Sequence, residues 1–475
     1  MLSRIGLERP RGKTALKWMT TIPNQGLIQF GEFSGRLYLL PTTPQALIDV
    51  LSTRAYDYAK PEGLRRFIAR VVGFGLLLTE GNVHKQQRRL LQGFFKPHVL
   101  RPLYPVLWGK AQELVVSLEH TLNKQVVKEC ESDGGVVEMS EWARNLTMDF
   151  IGLSTMGYDF KSFRENPDKV IDRFSELSER SVLQDTFLVL SMKIPEWITN
   201  PFRWGLDPSR WKANRALHSF CDRMVNERKR ALAHSSTTDP SNLLDILIQQ
   251  GSCSNDELVD HLLTILGAGH DTSASTLMWC CYELCQNRDI QAQLRSEVRA
   301  AIPSISDYSA VSWETVESLP LLDAIIYEVL RLYPAVPMLA REAVRDTRIL
   351  NHHIPKRTRI AICPYAFNRL PEFWGKDADR FVPNRWIDID EFGRKALNGL
   401  GGASTKYAHI TFSHGHRSCI GRPVAFIQLR CALAAIFGRF QMELVNPDIP
   451  VQPPSFITMR ALEGVPFRLT KVEGW

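Results

Sequence analysis

The stretch FSHGHRSCIGRP, Phe412–Pro423, places one cysteine, Cys419, behind two histidines and an arginine, between glycines, just ahead of the apolar run RPVAFIQLRCALAAIFGRF. A structural zinc site could use His414, His416 and Cys419, but it needs a fourth ligand, and no nearby Cys or His pair has finger-like spacing. Cys281 and Cys285 fall in a segment expected to be helical and core. A single thiolate is the other use. Arg417 stands two residues before Cys419, and the helix expected after Gly421 turns its positive end toward the sulfur; both favour the anion. Gly415 and Gly421 allow a tight turn and close approach to something flat.

One thiolate beneath a flat group is the arrangement of an axial haem ligand. A plain buried cysteine in a loop is the competing reading. The chain as a whole does not favour a disulfide: its 9 cysteines are odd in number and show no framework of spacings, which points to a reducing compartment. With 475 residues, 44% of them hydrophobic, a large core can form, and the length alone would allow two to three domains. The net charge of +7 is spread along the chain without a long basic tract, so nucleic acid is not an expected partner.

Most of the chain carries apolar residues at helical spacing. Helices are expected over RFIARVVGFGLLL, RPLYPVLWGKAQELVVSLEHTL and RALHSFCDRMVNERKRAL, with loops at ECESDGG and HSSTTDPSN. Between Val336 and Ile362, TRILNHHIPKRTRIAIC predicts two short strands around an Asn-His-His turn. A mainly α fold with small β-sheets follows.

Two other segments carry chemistry. Ser254-Asn-Asp-Glu257 is a capping box that should start a long helix. One face of that helix begins aliphatic and opens at Gly269 and Thr272 within GAGHDT. Mid-helix glycines cost about 0.8–1 kcal/mol each relative to alanine. Either they admit a close neighbouring helix, or they leave a groove for a small ligand beside an acid, Asp271, and a hydroxyl, Thr272, that could relay protons. In LPLLDAIIYEVLRLYP, Glu328 and Arg331 share a face of a helix that is apolar almost all round, so the pair should be partly buried and need further partners. Arg385 in FVPNRW is a candidate.

On these residues the chain resembles the cytochromes P-450, the haem-thiolate monooxygenases, in a eukaryotic microsomal and fungal-like style. The family's F-x-x-G-x-R-x-C-x-G is matched by Phe412, Gly415, Arg417, Cys419 and Gly421, and its A-G-x-D-T by Ala268, Gly269, Asp271 and Thr272. Glu328 and Arg331 match E-x-x-R; Phe381, Pro383, Arg385 and Trp386 match F-x-P-x-R-W. All four stand in the family's order, and the likeness runs from about Gly73 onward.

The resemblance implies a helix-rich triangular prism, residues 1–475 as a single domain, with haem between the long oxygen-groove helix and the cysteine helix. Cys419 would ligate the iron of haem b (iron protoporphyrin IX). Asp271 and Thr272 would deliver protons to bound O2. Glu328, Arg331 and Arg385 would form a structural triad. Arg417, Arg341 and Arg88 would hold the propionates, together with His84, which stands where the family often has tryptophan. Phe412, Gly421 and Ala268 would line the cofactor.

One oxygen atom would enter a lipophilic small molecule contacted by Phe74, Leu77, Ile265, Val336, Leu339 and Phe456. Electrons would come from a separate NADPH-dependent cytochrome reductase, with cytochrome b5 as a second donor, drawn by Lys85, Arg88, Arg89, His416 and Arg422. A monomer at the cytoplasmic face of the endoplasmic reticulum membrane, in peripheral contact with it, is the family's pattern, although neither the usual anchor nor the proline-rich hinge is visible here. Oxidative coupling or ring formation on a natural product, and fatty-acid or xenobiotic hydroxylation, use the same oxidant. A haem sensor without turnover is the reading from another class.

Overall fold

The computed structural model describes residues 8, 10–31, 37–129, 134–164, 167, 168, 170, 173, 208–234, 242–306, 311–448, 458, 459 and 465–475. Its contacts divide the chain into two units: residues 1–58, 100–144 and 272–475 form one, and residues 59–99 and 145–271 the other.

In the first unit, helices Leu103–Glu129, Arg288–Ala301 and Pro320–Leu332 pack on the cysteine helix, Arg422–Arg439. That helix has no polar face; its residues from Phe426 to Leu429 and from Cys431 to Gly438 are all buried, as an element surrounded by partners must be. A five-stranded sheet runs in the order Leu27–Gly31, Leu37–Pro41, Arg359–Ile362, Leu339–Ala343, then a short strand at Tyr58. Arg359–Ile362 lies parallel to Leu37–Pro41 and antiparallel to Leu339–Ala343. All four of its residues are buried, so both of its faces are covered and no polar alternation survives. A three-stranded sheet joins Phe440–Leu444, Pro466–Lys471 and Gly135–Glu138.

Val336–Ile362 departs from expectation. Residues 347–363, expected to form two strands, hold three, because Thr347–Ile349 and His352–Ile354 pair as a hairpin ahead of Arg359–Ile362. The turn falls at Leu350 and Asn351, with Leu350 in the left-handed region at φ +52°, while His352 and His353 belong to the returning strand. Three-residue strands are too short for a two-residue period to declare itself.

In the second unit, helices Glu62–Val72, Gly81–Leu91, Pro208–His234 and Leu243–Gln250 accompany Met139–Met156 from Asn145 on and the first half of the long helix Asn255–Gln286. The capping box forms as expected: Glu257 N donates to Ser254 Oγ at 3.2 Å, and Ser254 N to Glu257 Oε2 at 2.9 Å. The helix expected to run through RFIARVVGFGLLL stops at Val72. Gly73 turns left-handed at φ +66°, and Phe74 N donates to Asp260 Oδ2 at 2.9 Å instead of to the helix. Among the described residues, no helix is long and apolar enough to cross a membrane.

Candidate functional site: the cysteine loop and its buried anchor

The residues before Cys419 form a short turn, Gly415–Arg417, and then the chain enters the cysteine helix at Arg422. Ser413 sits at φ +57° and Gly415 at φ +70°. A left-handed serine costs about 1–2 kcal/mol. At Gly415 no other residue would serve, because a Cβ there would overlap the carbonyl oxygen of Leu51. Cys419 N closes the loop by donating to Phe412 O at 2.8 Å. The outcome is an exposed sulfur, whereas Cys221, Cys280, Cys281, Cys285, Cys363 and Cys431 are buried. Burial pushes the thiols of Cys221, Cys281, Cys363 and Cys431 up to about 12, so they stay protonated.

The zinc alternative finds no support. Among the described residues, no group of three or more His, Cys, Asp or Glu side chains could hold a metal ion. His414 Nε2 faces the carbonyls of Lys406 at 2.8 Å and His409 at 3.2 Å, so that nitrogen carries a proton. For a haem the donor set is suitable: one exposed sulfur at the start of a helix, with Gly421 beside it. A Cβ built on Gly421 would stay 3.9 Å from the Cys419 sulfur.

Glu328 and Arg331 are both fully buried and pair twice, Nε to Oε2 at 2.8 Å and Nη2 to Oε1 at 2.7 Å. Glu328 Oε1 also accepts from Arg385 Nε at 3.1 Å and Val382 N at 2.9 Å, and Oε2 accepts from Trp386 Nε1 at 2.9 Å. Arg331 spends its remaining N–H groups on the carbonyls of Asn368, Ala378 and Arg380 at 2.5–3.0 Å. Arg385 is held in turn by Asp377 at 2.9 Å. The structure thus brings the three expected residues together, with every charge met.

Sequence reasoning missed the link from this cage to the cysteine loop. Asn368 is fully buried. Its amide N–H groups reach Arg331 O at 3.1 Å and Thr411 Oγ1 at 2.7 Å, and its oxygen accepts from Ile410 N at 3.0 Å. Thr411 Oγ1 donates to Leu330 O at 2.7 Å. Thr411 immediately precedes Phe412, so the loop begins where the cage ends. No local signal marks Asn368.

The long helix is unbroken through GAGHDT. Its glycines admit neighbours: a Cβ on Gly267 would meet Val72 Cγ1 at 2.9 Å, and one on Gly269 would meet Ile151 Cδ1 at 2.6 Å. Close packing therefore accounts for both glycines. It does not cover Ala268, which is exposed between buried Leu266 and His270, nor Asp271 and Thr272, which are half-buried. Thr276 Oγ1 donates to Thr272 O at 2.9 Å, a back-bond that bends helices where it occurs.

Of the other expected residues, Arg341, Phe412, Val336 and Leu339 lie in the first unit, Arg341 buried and the rest half-buried. His84, Arg88 and Ile265 lie in the second, His84 buried. Phe74 and Leu77 are there too, 47% and 39% exposed, on the bend after Gly73. Phe456 is outside the described residues.

Residues 35–464 match the family model for cytochrome P450 proteins, written P-450 here. The chain is 34% identical over 471 residues to the P-450 monooxygenase sphH of Aspergillus fumigatus, covering 97% of this chain and 83% of that protein. It is 35% identical over 474 residues to the P-450 monooxygenase ptmK of Penicillium ochrochloron, covering 97% and 89%. A solved P-450 haem domain superposes with a TM-score of 0.79 at 22% identity, covering 99% of this chain and 94% of that one.

Proposed function

Because this chain belongs to the cytochrome P-450 family of monooxygenases, we propose that it inserts one atom of O2 into a lipophilic small molecule, the other atom leaving as water. The observation that carries the reading is the exposed Cys419 sulfur, on a loop made from Gly415 and Gly421 and tied to the fully buried Glu328 cage. Haem b, when bound, supplies the redox chemistry and the activation of O2.

The chain's own residues do the rest. Cys419 presents its sulfur as the iron ligand, ahead of a helix whose first N–H groups favour the anion. Phe412, Gly421 and Ala268 would line a bound haem. Arg417, Arg341, Arg88 and His84 hold the propionates through charge-assisted hydrogen bonds. Thr272 Oγ1 and the Asp271 carboxyl pass protons toward the oxygen-binding face. Ile265, Val336, Leu339, Phe74, Leu77 and Phe456 make the substrate's surroundings apolar. Glu328, Arg331 and Arg385 take no part in the chemistry; they hold the segment that the cysteine loop leaves from.

Residues 1–475 are read as one catalytic domain, monomeric. Electrons come from an NADPH-dependent cytochrome reductase, with cytochrome b5 as an added donor, and the site of action is the cytoplasmic face of the endoplasmic reticulum. The setting inferred is fungal secondary metabolism; the relatives that support a fungal setting are monooxygenases of Aspergillus fumigatus and Penicillium ochrochloron. The test is the absorption spectrum of the purified protein, reduced and exposed to carbon monoxide. A strongly red-shifted Soret band that disappears in Cys419→Ala is expected. A histidine-type band that persists in the variant removes Cys419 as the residue that would ligate the haem, and everything built on it.

A further inference from the structure

The cysteine loop carries two left-handed residues and an exposed sulfur, yet it must hold one geometry. Its support comes from the far N-terminal end of the same unit. Residues Asp49–Thr53 form a π-helical turn directly after helix Pro44–Ile48. Such turns are rare and are found at functional sites more often than elsewhere. This one faces the loop. The Leu51 carbonyl fills the place a side chain at Gly415 would take. Ser52 Oγ is hydrogen-bonded to Tyr407 Oη at 2.8 Å, and the Tyr407 ring lies 4.5 Å from His414. Three residues past the turn, the ring of Tyr56 takes the Arg417 guanidinium over its face, 4.9 Å from the centroid. The ring of His416 is 5.9 Å from the same tyrosine.

We infer that Tyr56, carried by the Asp49–Thr53 turn, is a positioning residue for the cysteine loop: its ring face sets where the Arg417 charge sits, and so how the loop grips its cofactor. The inference rests on the haem-thiolate reading, in which Arg417 serves the propionates. The turn and the residues just after it meet the loop from one side, at Leu51, Ser52 and Tyr56. The Asn368–Thr411 tether fixes only the loop's entry, at residues 410 and 411. Between Ser413 and Arg417 the supports include the backbone of Leu51, the hydrogen bonds of His414 Nε2 to the Lys406 and His409 carbonyls, the ring of Tyr407 and the ring of Tyr56, of which Tyr56 meets Arg417. Arg417 has a delocalised, weakly hydrated guanidinium that suits an aromatic face. A half-buried contact of this kind changes an equilibrium by about two- to thirtyfold.

The test compares Tyr56→Leu and Tyr56→Phe with the parent holoenzyme, reading the reduced carbon monoxide spectrum and the rate of haem transfer to an acceptor apoprotein. Tyr56→Leu should release haem about five- to tenfold faster and raise the fraction with a short-wavelength Soret band. Tyr56→Phe, which keeps the ring face, should match the parent in both. Leucine and phenylalanine variants that behave alike, whether both normal or both impaired, overturn the inference, because the ring face is then not what matters. A change in thermal midpoint without a change in haem release or spectrum also overturns it, since that is ordinary packing. A parent protein without the red-shifted band is a failure of the haem-thiolate reading itself, and it is visible before any variant is made.

Discussion

Around Glu328, five N–H donors converge on one carboxylate with no exposed surface. Around Cys419, the residue is exposed, and the loop is held by three amide–carbonyl hydrogen bonds, Ser413 N to Ile410 O, Ser418 N to Gly415 O and Cys419 N to Phe412 O, and by neighbours from distant segments. The cage is rigid because a buried charge without partners is costly. The loop stays open because the atom it presents must reach something other than protein. Placing the two 91 residues apart in sequence, joined through Asn368 and Thr411, separates stiffness from reactivity.

If that separation is real, damage to the two regions should differ in kind. Glu328→Ala leaves the fully buried Arg331 guanidinium without its carboxylate and Arg385 with Asp377 alone, and should cost about 3–5 kcal/mol, enough to prevent accumulation of folded holoprotein at 37 °C. Soluble yield and a denaturant titration report it; a variant that folds and keeps haem would remove the cage from the account. Gly269→Ala should cost about 1–3 kcal/mol in overpacking, because its Cβ lands 2.6 Å from Ile151 Cδ1, offset by about 0.8–1 kcal/mol of helix propensity. Ile151→Ala in the same chain should recover part of that loss, which a double-mutant cycle would measure.

Acid should find the cage region as well. His409 is half-buried beside Arg422 and Arg331, and its pKa is pushed down to about 3, chiefly by desolvation. Unfolding raises it toward the ordinary value near 6.5. The unfolded chain then binds a proton that the folded one refuses. Stability is therefore complete above pH 6.5 and falls on acidification by up to about 1.4 kcal/mol per pH unit, down to pH 3. Unfolding curves over that range, with His409→Gln as the control, should show the slope shrinking in the variant.

At the opposite end, Cys419→Ser should leave the melting of the apoprotein nearly unchanged and abolish the red-shifted carbon monoxide band. Thr272→Ala should be the mildest to the fold, under about 0.5 kcal/mol, while raising the oxygen and NADPH consumed per product formed. Equal coupling in parent and variant would leave Thr272 without its proton-delivery role.

The sequence made the cage and the loop visible for different reasons. Glu328 and Arg331 were legible because both lie on one helix that is otherwise apolar, so burial of the pair followed from the pattern. The three carbonyls that complete Arg331 were not, since they arrive from residues 37 to 49 positions away. Cys419, Gly415 and Arg417 could be read within ten residues, but their support at Ser52 acts across 355 positions and leaves no local trace. Helix extent failed at Gly73, where apolar spacing continued past a residue whose backbone had turned left-handed. The helical periodicity of Leu76 to Leu78 was a coincidence of composition.

Asn368 has one further consequence, which concerns the order in which the chain is made. Glu328, Arg331, Asn368, Ala378, Arg380, Val382, Arg385 and Trp386 all precede Cys419 in synthesis, and so does Thr411. A chain leaving the ribosome can therefore close the charged cage and seat Asn368 before the cysteine emerges. The mould is ready before the part it shapes. Nascent chains stalled with Trp386 just clear of the ribosomal exit tunnel should already resist proteolysis between Glu328 and Trp386, and Glu328→Ala should abolish that protection.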